Sequence, residues 1–111
     1  MHEVSDVVRT AVAWLDAANG RDDHEITMRI FKIVEEAGEV AAAWIGTGGQ
    51  NPRKGVTHTR TDVAAELADV AFTALVAIES LGLDSGAVLA ACAAKIEARL
   101  MVSTVDQPAT A

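Results

Sequence analysis

Residues 29–45 read RIFKIVEEAGEVAAAWI, and two interleaved periodicities in that stretch decide the fold. Ile26, Ile30, Ile33, Ala37, Val40 and Trp44 recur at alternating steps of four and three. That is the apolar seam of an amphipathic helix, which must bury against other helices. Arg29, Lys32, Glu36 and Glu39 keep the same rhythm, displaced around the helix, as a charged stripe beside the seam. Glu36 and Glu39 are one turn apart, with Cβ atoms roughly 5–6 Å from each other. Glu66 and Asp69 repeat that spacing in the next helical stretch, DVAAELADVAFTALVAIESL.

Two carboxylates about 5 Å apart repel by roughly 3 kcal/mol at an effective dielectric near 20. Several such pairs would consume most of a small domain's stability of ~5–15 kcal/mol. Either the helices turn these groups apart into water, or a bound cation holds them together. Glu36, Glu39, Glu66 and Asp69 offer only oxygen, with no His or Cys at matching positions. Mg²⁺, with Mn²⁺ as a substitute, therefore suits the set far better than zinc. Di-iron bundles use Glu-x-x-His, and no His follows any Glu here at that spacing.

The chain of 111 residues has room for one domain. Half its residues are hydrophobic but only 4% are aromatic, a composition rich in Ala, Leu and Val that suits close helix packing. A formal charge of −7 argues against nucleic acid or an anionic membrane as partner. Cys92, the single cysteine, lies in the apolar run AVLAACAAKI and reads as a small buried hydrophobe. One cysteine makes no internal disulfide, the N-terminus lacks a signal-peptide pattern, and no apolar run is long enough to cross a bilayer. The expectation is a soluble, cytoplasmic protein.

Four helices are expected. The first spans about Ser5 to Ala18, capped by Ser5 and stopped at Asn19-Gly20. Its Trp14 belongs to the core or to a subunit interface. The second reaches Ile45, and the third runs from Thr61, with Thr59 or Thr61 as cap, to Leu81. The fourth follows Asp84 or Ser85 to about Met101, with Val88, Leu89, Cys92, Ile96 and Leu100 as its buried face. Residues 1–101 then form an all-α four-helix bundle, and residues 102–111 a disordered tail. Gly46 to Gly55 breaks the helical pattern with glycines and Pro52. That stretch is either a flexible connection or a mobile loop whose Arg53, Lys54 and His58 close over phosphates.

KIVEEAGEV (Lys32 to Val40), ELADV (Glu66 to Val70) and Lys95-Ile-Glu-Ala-Arg99 follow one another in order. This series resembles the MazG-like all-α nucleoside triphosphate pyrophosphohydrolases, whose pattern is EExxE, ExxD and then a Lys/Arg pair on a following helix. The resemblance covers roughly residues 24 to 100. It implies Mg²⁺-dependent cleavage of a nucleoside triphosphate between the α and β phosphates, by a cytoplasmic homodimer or homotetramer that cleans the nucleotide pool. On that resemblance Glu36, Glu39, Glu66 and Asp69 are the metal ligands, and Glu35 orients or deprotonates the attacking water. Lys32, Lys95 and Arg99 contact phosphates, joined by Arg53 and Lys54 of the Gly/Pro loop, which lies outside the general motif.

The pair Lys95 and Arg99 has a plain alternative as a solvated helical turn. Trp44 continues the apolar seam, which favours packing over stacking on a base. Phosphoribosyl-ATP pyrophosphohydrolase shares EExxE and ExxD, but its ExxD segment usually continues into Tyr-His, where this chain reads Asp69-Val-Ala-Phe-Thr73. A non-catalytic helical dimerisation or interaction module is the alternative from another class.

Overall fold

The protein is described by a computed structural model over residues 3–106. Its helices are α1 (Val4–Asn19), α2 (Asp23–Gly48), α3 (Arg60–Ser80) and α4 (Ser85–Asp106), with no strand among the described residues. The all-α expectation holds. Ser5 does not cap α1, because the N-cap position falls on Glu3, whose side chain makes no capping bond. Helix α2 runs past Ile45 to Gly48 and closes on Gly49, at φ 63°. Glycine alone adopts that left-handed geometry without strain.

Thr59 caps α3, as expected. Its hydroxyl accepts from the Asp62 amide at 3.2 Å, and Asp62 accepts from the Thr59 amide at 2.8 Å. The Thr59 amide holds the Asp62 carboxyl below the usual range. This reciprocal box satisfies two of the amides a helix start leaves unpaired. Thr59→Ala should cost about 1 kcal/mol, read as a fall in Tm of roughly 4 °C.

Arg29 near the start of α2 meets Ser80 at the end of α3, and Gly46 near the end of α2 meets Thr57 just before α3. The two long helices are therefore antiparallel, and they form the main helix contact of the chain. Their contact covers only one side of the apolar seam, where Ile26, Ile33 and Val40 are half-buried. Ile30 and Trp44 stay exposed, while Arg29 and Ala43 are the residues α2 buries. The contact face takes Arg29 and Glu36 from the charged stripe together with Ile26, Ile33 and Val40 from the seam, while Lys32 and Glu39 stay exposed. Arg29 enters the interior because it finds enough partners there. Helix α1 lies on α3, where Val8, Val12 and Val76 form a small core with Ala11, Leu15, Phe72 and Leu75.

Helix α4 departs at a bend of 115° from α3. Val88, Leu89, Cys92, Ile96 and Leu100, expected on its buried face, are all exposed. At that angle α4 touches α3 at its start, where Ser85 is buried, and residues 86–102 point away from the other helices. Trp14 is likewise 70% exposed, so it does not belong to the core of the chain. The radius of gyration, 18.7 Å, exceeds the roughly 13 Å of a compact domain of this length. Helix α4 also extends to Asp106, so residues 102–106 of the expected tail are helical. The rest of that tail lies outside the described residues. No single helix among them is long and apolar enough to cross a membrane.

Candidate metal centre

The α2–α3 pairing sets Glu36 and Glu39 opposite Glu66 and Asp69, midway between the Arg29–Ser80 and Gly46–Thr57 contacts. One carboxylate oxygen from each of Glu36, Glu66 and Asp69 lies within 4.8 Å of the others. Glu35, Glu36 and Glu39 make a second such group along α2, so Glu36 belongs to both. The i, i+3 acids of each helix converge rather than diverge into water. Charge makes this arrangement unfavourable as it stands. The Glu36 charge pushes the Glu39 carboxyl above the usual range, with burial and Glu66 adding to the effect.

Lys32 is the cation that pairs with the group among the described residues, its Nζ 3.4 Å from Glu36 and 3.6 Å from Glu35. Those two acids, Glu35 first, raise its pKa. Its side chain is 54% exposed, so water screens the pairing. No Lys or Arg pairs with Glu39, Glu66 or Asp69 among the described residues. The Oε2 atom of Glu66 is buried without any hydrogen-bond donor. A buried carboxylate oxygen without a donor is costly. A hard divalent cation would satisfy it, and the all-oxygen donor set of Glu36, Glu39, Glu66 and Asp69 fits such an ion.

The remaining expected site residues stand apart from this centre. Lys95 and Arg99 lie on the exposed, outward-bent α4 and make no ion pair among the described residues. Arg53 and Lys54 sit on the loop after α2, at the Gly46 end of the α2–α3 groove. That loop is tied down more than its glycines suggest. The Arg53 amide donates to Asn51 Oδ1 at 3.0 Å, and the Gly55 amide to the Asn51 carbonyl at 2.9 Å.

Arg29 was grouped by spacing with the acids, but its role is different. Its Nε donates to Glu25 at 2.8 Å, its Nη1 to Asp16 at 2.9 Å and to Ser80 at 3.0 Å, and its Nη2 to the Gly20 carbonyl at 2.9 Å. One guanidinium thus joins α1, the α1–α2 turn, α2 and α3. Hydrogen bonds from Arg29 and Asn19 lower the Glu25 pKa despite opposing burial, and those from Arg21 and Arg29 lower that of Asp16. The sequence held a partial signal: Glu25 and Arg29 at i, i+4, and Ser80 as a polar residue closing an apolar helix. Only the fold could add Asp16.

Fold and site together define an all-α helical scaffold with facing acidic pairs. A model of the phosphoribosyl-ATP pyrophosphohydrolase family matches residues 10–96. The chain belongs to that family, within the wider MazG-like all-α pyrophosphatase group. The match falls on the family that Asp69-Val-Ala-Phe-Thr73 counts against, so that departure does not remove the chain from it. No curated protein and no solved structure matches the chain. Members of the family are pyrophosphohydrolases, which makes this a hydrolase acting on phosphoanhydrides of a nucleotide.

Proposed function

We propose that the protein hydrolyses the α–β phosphoanhydride of a nucleoside triphosphate, releasing the monophosphate and pyrophosphate, with Mg²⁺ or Mn²⁺ as cofactor. The observation that carries this reading is the convergence of Glu36, Glu66 and Asp69 across two helices around the donorless Oε2 of Glu66. Glu36, Glu39, Glu66 and Asp69 would hold the metal. When bound, it neutralises charge on the phosphates and makes a water more acidic. Glu35, next in sequence, has its side chain 66% exposed beside Lys32, where it would face the substrate and take the proton from the attacking water. Lys32, at the rim beside Glu35 and Glu36, offers its ammonium to the phosphate charge that builds during cleavage.

The family match favours a second reading for the substrate, phosphoribosyl-ATP, whose triphosphate is cut at the same bond. A pyrophosphate-release screen decides between the two. Common and damaged nucleoside triphosphates would be assayed beside phosphoribosyl-ATP, each with Mg²⁺ and with Mn²⁺. Turnover of phosphoribosyl-ATP alone selects the second reading, and no turnover of any substrate with either metal overturns both.

We further propose a homo-oligomer, a dimer or tetramer, in which α4 of one copy reaches the acidic groove of another. Leu89 is 50% exposed, Ile96 47% and Met101 62% on a helix that its own chain leaves uncovered. Apolar surface on that scale needs cover. Lys95 and Arg99 would then meet phosphates across the interface. Arg99→Ala should reduce kcat/KM about tenfold, the worth of one charge-assisted contact, while metal affinity stays unchanged. A stable monomer in light scattering at micromolar concentration contradicts the assembly.

A further inference from the structure

A cleft of about 300 Å³ opens at the loop end of the α2–α3 groove, lined by residues that include Gly46, Gln50, Asn51, Lys54, Thr57 and His58. The acidic centre lies along the same groove. Gly46 follows Glu39 by seven residues, two helical turns on the same face of α2, about 10 Å along the axis. We propose that this cleft is the subsite for the base and sugar of the nucleotide, with His58 and the Asn51 and Gln50 amides reading the base. This rests on the nucleotide reading above and assigns the Gly/Pro loop to recognition rather than to the phosphates alone.

Three observations carry it. The cleft is built around a close approach that only glycine allows. A Cβ on Gly46 would collide with Thr57 Oγ1 and His58 Nδ1, and the Thr57 amide is bonded to the Gly46 carbonyl at 2.9 Å. Second, His58 already has a partner on one ring nitrogen before any ligand arrives. Its Nδ1 and the Thr57 hydroxyl are 2.8 Å apart, which leaves Nε2 as the ring atom available to a ligand. Third, the remaining groups suit a planar heterocycle with donors and acceptors on its edge. Asn51 spends its Oδ1 on the Arg53 amide, so its NH₂ is the part left to donate, and Gln50 offers both a donor and an acceptor. Ala42 and Ile45 supply apolar wall, and Lys54 adds a cation. Pre-set hydrogen-bonding groups on an otherwise apolar wall are what orient a small ligand.

A rival location exists. A second, apolar cleft of about 220 Å³ lies on the other side of the acids, lined by Trp14, Phe72, Lys32 and Thr73 among others. Its aromatic rings could stack on a base, but it offers few groups to read one. Its edge at Trp14 is also surface that an oligomer would cover.

The test is calorimetric titration of the Mg²⁺-loaded protein with α,β-imido analogues of ATP, GTP, CTP and UTP, and with inorganic tripolyphosphate. Gly46→Ala, His58→Ala and Trp14→Ala are compared with the wild type. The tightest-binding analogue should lose about tenfold in affinity in both Gly46→Ala and His58→Ala, the loss of one hydrogen-bonding partner. Tripolyphosphate binding should be unchanged in both, and Trp14→Ala should bind the analogue as the wild type does. Equal losses for analogue and tripolyphosphate make the cleft a phosphate site and overturn the proposal. So does a loss confined to Trp14→Ala, or wild-type affinity in His58→Ala, or a wild type that binds no analogue. Analogue binding with the expected losses, but no pyrophosphate release in the separate screen, upholds the subsite and sinks the hydrolase reading alone.

Discussion

Glu66→Gln should abolish metal-dependent turnover, with a loss of about a thousandfold or more, since a catalytic metal supplies several kcal/mol to the transition state. The substitution keeps size and shape and removes one charge. Glu66 is the sharpest choice among the acids because its Oε2 is buried and receives no donor. In a structural salt-bridge cluster that atom would face a Lys or Arg, and neutralising it would leave a cation stranded. Here Glu36 and Asp69 are the neighbours within reach. Steady-state pyrophosphate release with Mg²⁺ and with Mn²⁺ measures the effect, and turnover within a few-fold of wild type would rule Glu66 out as a ligand.

The largest stability effect is expected at Arg29, not at the acids. Arg29→Met should destabilise the fold by about 3 kcal/mol, the lower end of what breaking a buried ion pair costs. The lower end applies because Asp16 keeps 31% of its side chain in water and Glu25 15%. For a domain of this size that is a fall in Tm of roughly 10 °C, measurable by thermal melts in chelator. Arg29→Lys should rescue little, because one ammonium cannot reproduce bonds made from Nε, Nη1 and Nη2 in different directions. The pH dependence has a definite sign. The folded pKa values of Asp16 and Glu25 are depressed, so their stabilisation is present above the ordinary carboxylate range. It is lost as pH falls below about 4 and through the folded values. Arg29→Met should flatten the Glu25 part of that acid limb, while Arg21, the larger influence on Asp16, keeps part of the rest. An unchanged acid limb would show that the guanidinium is not what holds these carboxylates ionised.

The sequence carried the helices, the cap at Thr59 and the two acidic pairs, because each is a local pattern with a local physical cause. Periodicity found only part of the contact face of α2: Ile26, Ile33 and Val40 are half-buried, but Ile30, Ala37 and Trp44 are exposed. An apolar seam and a charged stripe lie side by side there, and a hydrophobic count favours the seam. What rotates the face is Arg29, whose partners Asp16, Gly20 and Ser80 come from three other segments and share no spacing with it. The same limit applies to α4. Val88, Leu89, Ile96 and Leu100 mark a face that must be covered, but spacing cannot say whether by the same chain or by another. The 115° bend after α3 turns that face away from the chain's own core. The loop after Gly46 was legible as irregular and basic. Its cleft was not, because the Gly46–His58 approach depends on how α3 returns along α2.

Thermal melting of the wild type and Glu66→Gln, each in chelator and in excess Mn²⁺, tests the metal centre most directly. Metal at a hundred times its Kd should stabilise the wild type by about 2.7 kcal/mol through mass action. Glu66→Gln should gain far less from metal, yet melt in chelator at or above the wild-type temperature, since it has shed part of the repulsion among Glu36, Glu39, Glu66 and Asp69. A wild type indifferent to metal, together with a variant that melts clearly lower in chelator, would contradict a metal site and mark these acids as structural.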